Sequence, residues 1–240
     1  IAFSFNYTTL PTGNRQTWHK RMLANVDRFV VFSNYERQLY AEYFGLPENR
    51  FVFTPWTQDP PPVAALNDIP FGGDYICAIG GEGRDYPLLI EAAKASKTPL
   101  VIVGRPHSLE GTSLPSNVKF MSNLPLATTW AIAQHSQGMV LPLKTSTTCC
   151  GQITVISALM LGIPLLCADS VALHDYIQDQ PRELLYTPGS LTDLADKLKF
   201  FRTNTDQLKQ NFRSQSARNT EKFDRSIWTG TVENLLENPR

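Results

Sequence analysis

Residues 138–170 read GMVLPLKTSTTCCGQITVISALMLGIPLLCADS, and this stretch decides the fold class. An apolar run of strand length, Val140–Leu143, feeds a loop of hydroxyl residues, Thr145 to Thr148. Gly151 then opens an apolar segment of helical length that Gly162 and Pro164 end, and a second strand-like run follows, Leu165–Ala168. Strand, loop, helix and strand in that order form the repeating unit of a parallel sheet. No Asp or Glu lies between Gly138 and Ala168, while Lys144 stands at the mouth of the loop. The N-terminus of a helix offers unpaired backbone N–H groups and about half a positive charge. A glycine there lets an anion approach the backbone. Gly151-Gln152-Ile153-Thr154 therefore reads as an anion seat suited to phosphate. The plain alternative is a buried crossover whose hydroxyls only cap the helix.

Working outward, strand-like and helix-like segments alternate from Asp74 on. Candidate strands are 75–80, 100–104, 118–121, 139–143, 164–168 and 183–186. The helices between and after them lie at 86–95, 127–135, 152–161, 171–177 and 191–201. Six strands with crossover helices predict an α/β chain with a Rossmann-like, doubly wound parallel sheet of order 3-2-1-4-5-6. The crevice of such a sheet opens at the carboxyl ends of the first and fourth strands. The first ends in Gly80-Gly81-Glu82-Gly83-Arg84-Asp85 and the fourth in Lys144 and the hydroxyl loop, so Arg84 and Lys144 are expected to meet. The glycines do not fit the dinucleotide pattern Gly-x-Gly-x-x-Gly. Arg84 alone would pass for a solvated surface charge; the convergence with Lys144 and Gly151 is what gives it weight.

Upstream, residues 1–7 alternate apolar and polar as a half-buried strand, and Thr8–Gly13 reads as a turn. A helix over 15–26 would place Trp18, Met22 and Val26 on one face. A strand at 28–32 precedes Ser33-Asn34-Tyr35-Glu36, which has capping-box spacing for a helix over 35–44. Gly45 stops that helix, and 50–54 is a further strand. Residues 56–70, with Pro60-Pro61-Pro62, have the composition of a semi-rigid linker. The tail carries two helices, 206–217 and 226–237. These readings divide the chain into a short N-terminal α/β segment (1–56), a linker (57–73), a Rossmann-like domain (74–222) and a C-terminal helix packing back toward the N-terminal part (223–240).

The 22 basic and 22 acidic residues cancel, which removes the electrostatic case for nucleic acid. No run approaches the length of a transmembrane helix. The chain opens on Ile1 without Met and shows no signal peptide, so a preceding segment is expected to be missing. Cys77 and Cys167 fall in strand-like runs, where free thiols act as small hydrophobes. Cys149 and Cys150 match no zinc spacing and are expected to form neither a disulfide nor a metal site. The setting expected is a reducing cytoplasm, with peripheral association with a membrane left open.

An ordered series of short motifs carries a family resemblance. It runs through Val-Phe-Ser at 31–33, Gly-Leu-Pro at 45–47, Phe-Val-Phe-Thr-Pro at 51–55 and Ile-Gly-Gly at 79–81. Leu-Leu-Ile-Glu-Ala-Ala at 88–93, Val-Ile-Val-Gly at 101–104, Val-Lys-Phe at 118–120, Leu-Pro-Leu-Lys at 141–144 and Ser-Ala-Leu-Met-Leu-Gly-Ile-Pro at 157–164 complete it. The series resembles the C-terminal half of a GT-B glycosyltransferase, closest to glycosyltransferase family 4, from about Arg28 to the C-terminus.

The resemblance implies transfer of a sugar from a nucleotide-diphospho-sugar (UDP-, GDP- or ADP-linked) to a glycan or glycolipid. No metal or cofactor is implied, the donor being a co-substrate. Arg84, Lys144 and the amides around Gly151, Gln152, Ile153 and Thr154 would take the diphosphate, with Gly80 and Gly81 as the donor loop. Phe120, Met121 and Ser157 would lie on the base and ribose side, and residues 1–56 would be a remnant of the acceptor-side domain. Members typically carry two glutamates eight residues apart, where this chain has Cys149 and Ser157. A carboxylate makes charge-assisted bonds to hydroxyls that Cys or Ser cannot match. Two alternatives therefore stand beside the transferase: a non-catalytic GT-B-like binding or scaffold domain, and a nucleotide-sugar epimerase. The epimerase would need cleft carboxylates that 138–168 lacks. His19 and His107 are only loose candidates for a base, and no catalytic residue is assigned.

Overall fold

The computed structural model describes residues 1–3, 7, 10–81, 83–147 and 149–237. Its first unit is a three-stranded parallel sheet, in the order β1 (Ala2–Phe3), β2 (Phe29–Val31), β3 (Phe51–Phe53). Helices α1 (Gly13–Leu23) and α2 (Asn34–Phe44) fill the crossovers. Ser33 caps α2 by accepting from the Tyr35 N–H at 3.1 Å, and Gly45 ends the helix in the left-handed conformation at φ 66°. Phe29, Val31, Tyr40, Phe44 and Phe51 form this unit's own small core.

The second unit is a six-stranded, all-parallel sheet of β4 (Ile76–Ile79), β5 (Leu100–Gly104), β6 (Val118–Ser122), β7 (Gly138–Leu141), β8 (Leu165–Ala168) and β9 (Leu185–Tyr186). Its spatial order is β6-β5-β4-β7-β8-β9, which is the 3-2-1-4-5-6 order expected from the sequence. Both faces are covered: β4, β5, β7 and β8 are almost wholly buried, and they read as unbroken apolar runs for that reason. The helices are α3 (Tyr86–Ser96), α4 (Leu126–His135), α5 (Gln152–Met160), α6 (His174–Ile177) and α7 (Leu191–Thr203). They are followed by α8 (Thr205–Lys222) and α9 (Arg225–Glu237), which crosses back to the first unit. There Trp228 packs on Phe3 and Phe32, with ring centroids 5.1 and 5.8 Å apart.

Several expected elements differ in extent. The first strand is confined to Ala2–Phe3, while residues 4–6, 8 and 9 of the expected strand and turn lie outside the described residues. Helix α1 ends at Leu23, and Trp18 and Met22 are 58% and 56% exposed, so that apolar stripe faces outward. Strand 183–186 shrinks to two residues because Arg182–Leu184 forms a 3-10 turn behind Pro181. Residues 171–177 split into a 3-10 turn and the short α6. Residues 54–69 hold no regular structure, yet they are tied down: Gln58 N–H donates to Phe223 O at 3.1 Å and Ala64 N–H to Ala127 O at 3.0 Å.

Candidate functional site

The loops after β4 and β7 are laced together at the point where strand order reverses. Arg84 and Leu143 form an antiparallel bridge, Lys144 N–H donates to Gly83 O at 3.0 Å, and Asp85 N–H donates to Pro142 O at 2.8 Å. Arg84 and Lys144 thus meet as the sequence predicts, but in different ways. Lys144 is exposed, with its side chain free to turn toward an anion. Arg84 is only 6% exposed, and its guanidinium donates to Ile79 O (3.2 Å), Thr154 Oγ1 (3.1 Å) and Cys150 Sγ (3.4 Å). It is a fixed cation lying between the end of β4 and the first turn of α5.

That first turn is open. Gly151 sits at φ 99° with no side-chain cap, and the N–H groups of Gln152, Ile153 and Thr154 have no partner among the described residues. Val155 is the first to close the helix, donating to Gly151 O at 2.9 Å. Three unpaired donors, a helix dipole and a buried guanidinium make a positive, preorganised seat. Gly80 and Gly83 sit at φ 125° and 68°, where L side chains rarely go. A Cβ on Gly80 would stand 2.8 Å from the Arg84 guanidinium, and one on Gly83 would stand 2.9 Å from Cys150 Sγ. Gly81 lies under the Arg105 side chain, whose carbons would be 3.1 Å from a Cβ. A Cβ on Gly151 would point at Leu141, at 3.0 Å, and would demand a strained φ. Glu82 and Thr148, of the same two loops, lie outside the described residues.

The remaining expected residues divide. Ile153 is 54% exposed at the lip of the seat, and Phe120 and Met121 are half-buried at the end of β6, on the side where a base was expected. Gln152 is buried and turned back, with Nε2 donating to Cys149 O at 3.0 Å and lying 2.7 Å from Cys149 Sγ. Cys149 and Ser157 are each 1% exposed. Cys149 Sγ lies 3.9 Å from Phe32 O, and Ser157 Oγ accepts from Gln58 Nε2 at 2.7 Å. Burial, then the nearby Glu36 carboxyl, push the Cys149 thiol far above its ordinary range, so it stays protonated. All four cysteines are free thiols.

The sequence did not flag Phe32, Gln58 and Tyr176, which join the two units beside the seat. Tyr176 OH donates to Phe32 O at 2.6 Å and accepts from Trp56 N–H at 2.9 Å. Asp175 accepts from both Asn34 N–H (2.8 Å) and Asn34 Nδ2 (2.7 Å). These partners lie more than a hundred residues apart along the chain, and no local pattern announces such a pairing. Of the histidines considered, His107 is exposed in the turn after β5, and His19 is engaged with Tyr7 OH at 2.9 Å. A pocket of about 420 Å³ is lined by Phe32, Trp56, Thr57, Arg225, Trp228 and Thr229.

Two parallel α/β units meeting beside an open helix N-terminus at the switch point of the larger one define a protein of GT-B architecture. Residues 83–204 match the family model described as Glycosyl transferases group 1, about half of the chain, and the chain belongs to that family. Among solved structures it is similar to a glycosyltransferase from Rickettsia africae (13% identity, TM-score 0.70, covering 96% of this chain and 69% of that one). It is also similar to sucrose-phosphate synthase from Thermosynechococcus elongatus (18%, TM-score 0.71, 94% and 62%). A third is HepE from Anabaena in complex with UDP and glucose (14%, TM-score 0.70, 92% and 67%). These likenesses are of fold, and the chain spans only about two thirds of those structures' own lengths. No curated protein sequence matches it.

Proposed function

We propose that this chain forms the donor half of a glycosyltransferase that moves a sugar from a nucleotide-diphospho-sugar to a glycan or glycolipid without a metal ion. The observation that carries the reading is the meeting of the Arg84 guanidinium with the open N-terminus of α5 at the strand-order switch. A departing nucleoside diphosphate gains negative charge, and preorganised donors aimed at that charge lower the barrier. Arg84, the amides of residues 152–154 and the exposed Lys144 ammonium supply such donors from the protein alone. Residues 74–222 would bind the donor, with the base toward Phe120 and Met121, while 1–56 would belong to the acceptor side. Residues 57–73 would link the two and 223–240 pack back across them. Structures of HepE contain UDP and UDP-glucose, which makes UDP-sugars the first donors to try.

A second reading is favoured by one observation: Cys149 and Ser157 are both buried, the first against Phe32 O of the N-terminal unit and the second against Gln58 of the strap after β3. A donor-binding domain that no longer transfers sugar would tolerate that. Titration calorimetry with UDP, GDP and ADP tests the shared claim, and slow hydrolysis of the bound nucleotide-sugar separates the two readings. Lys144→Gln is the cleanest probe, because the residue's structural hydrogen bond is made by its backbone. It should weaken diphosphate binding several-fold without lowering Tm, and the affinity should become less sensitive to salt. Unchanged affinity and salt slope would remove Lys144 from the site, and loss of binding on adding chelator would overturn metal independence.

A further inference from the structure

Ser157 lies one turn along α5 from the exposed Ile153, on the same face of the helix, yet its hydroxyl is given to Gln58. Gln58 belongs to the strap that leaves β3 and crosses to the larger sheet, and it is held at both ends. Its backbone N–H donates to Phe223 O at 3.1 Å, and its Nε2 donates to Ser157 Oγ at 2.7 Å. Two residues earlier, Trp56 N–H is fixed to Tyr176 OH at 2.9 Å. A glutamine amide carries two donors and one acceptor with two lone pairs. Only one of those donors is used here, and Oε1 is left accessible and without a partner among the described residues.

A preorganised neutral donor–acceptor pair matches a ligand hydroxyl rather than a ligand charge. It stands about 6 Å along the helix from the N–H groups that would hold the phosphates. In a nucleoside diphosphate the groups within that reach of the phosphates are the ribose hydroxyls.

We infer that Gln58, oriented by Ser157, is a specificity-determining residue that reads the ribose hydroxyls of the nucleotide. This rests on the donor reading above and adds a residue from the strap to it. The recognition is uncharged. A neutral hydrogen bond contributes a preference for ribose over 2′-deoxyribose of a few-fold to about tenfold, and that preference does not change with pH between about 5 and 8, because neither an amide nor a hydroxyl titrates there.

The test is calorimetric titration of the full chain with UDP, GDP and ADP, their 2′-deoxy counterparts, and inorganic pyrophosphate as a probe of the phosphate seat alone. Wild type should bind pyrophosphate and should favour the ribonucleotide within the pair whose base it accepts. Gln58→Ala should erase that preference and leave pyrophosphate affinity unchanged. Ser157→Ala, which frees the amide to swing, should reduce the preference part of the way, with circular dichroism showing both variants folded. A folded Gln58→Ala protein that keeps the wild-type ribose preference overturns the role of Gln58 while leaving the donor site standing. Failure of wild type to bind any nucleotide or pyrophosphate overturns the donor reading and this inference with it.

Discussion

Gly151 shows how one residue serves the fold and the site at once. Its φ of 99° lies where L side chains rarely go, and the open first turn of α5 depends on that conformation. From the sequence, the role of this glycine is to let an anion approach the backbone. The geometry aims the absent Cβ at Leu141 Cδ2, 3.0 Å away in the core, and toward the Arg84 guanidinium at 3.6 Å. Gly151→Ala should therefore cost about 1–3 kcal/mol of stability through backbone strain, read as a lower urea midpoint with an unchanged slope. A variant as stable as wild type would mean that the loop relaxes freely, and that the seat is not held by this residue. Arg84 makes the same point from the opposite chemistry. A buried guanidinium satisfied by a carbonyl, a hydroxyl and a thiol braces the two loops whether or not a ligand is present.

At the scale of elements, β7 meets α7 through a missing side chain. A Cβ on Gly138 would overlap Phe201 Cζ and fall 2.9 Å from Pro164 O, inside a core where Phe201 is fully buried. Gly138→Ala should destabilise the chain by about 1–3 kcal/mol through overpacking. Combining it with Phe201→Leu should recover part of that loss, so that the two changes are not additive in a double-mutant cycle. Strict additivity would show that the helix simply moves away. The strands and helices of this sheet were legible because buried parallel strands leave continuous apolar runs and their crossovers leave helical ones. The order 3-2-1-4-5-6 is the common one for a doubly wound sheet of six strands, and it places the loops of Arg84, Lys144 and Gly151 side by side. The last strand and α6 were overextended, because Pro181 and the 3-10 turns set their limits without altering the apolar pattern. Gln58 was hidden in a proline-rich stretch read as a linker, since the bonds that fix it are made to α5 and to the residue that ends α8.

At the scale of the whole molecule, the joint between the two units is built around an acid. Glu36, in the first turn of α2, is 2% exposed. Its Oε1 accepts from Tyr40 OH at 3.1 Å, its carboxyl also takes the Phe32 backbone N–H, and Oε2 has no partner among the described residues. The carbonyl of the same Phe32 receives Tyr176 OH from the larger unit. Across the joint, the Cys149 thiol and the Tyr176 hydroxyl lie close enough to feel its charge, and neither is a cation. Burial raises the Glu36 carboxyl from its ordinary 4.5 to about 7, with the two hydrogen bonds opposing that rise. The folded state thus holds a proton that the unfolded chain releases earlier. Its contribution is fully present below about pH 4.5 and is lost as pH rises through about 7. The size of the effect is on the order of 3 kcal/mol. Asp179, held below its usual range by Lys222, acts with the opposite sign, but only at lower pH, so the two do not overlap. Urea unfolding between about pH 5 and pH 8 should show wild type losing stability as pH rises, while Glu36→Gln keeps the hydrogen bonds of a neutral acid and gives a flatter profile. The loss should begin where the two units meet, so hydrogen exchange at Phe32, Asn34 and Trp56 should quicken before that of β4 or β5. A wild-type profile that is flat or rising across this range, or a Glu36→Gln profile that falls just as steeply, would show that Glu36 does not hold the joint as a protonated acid.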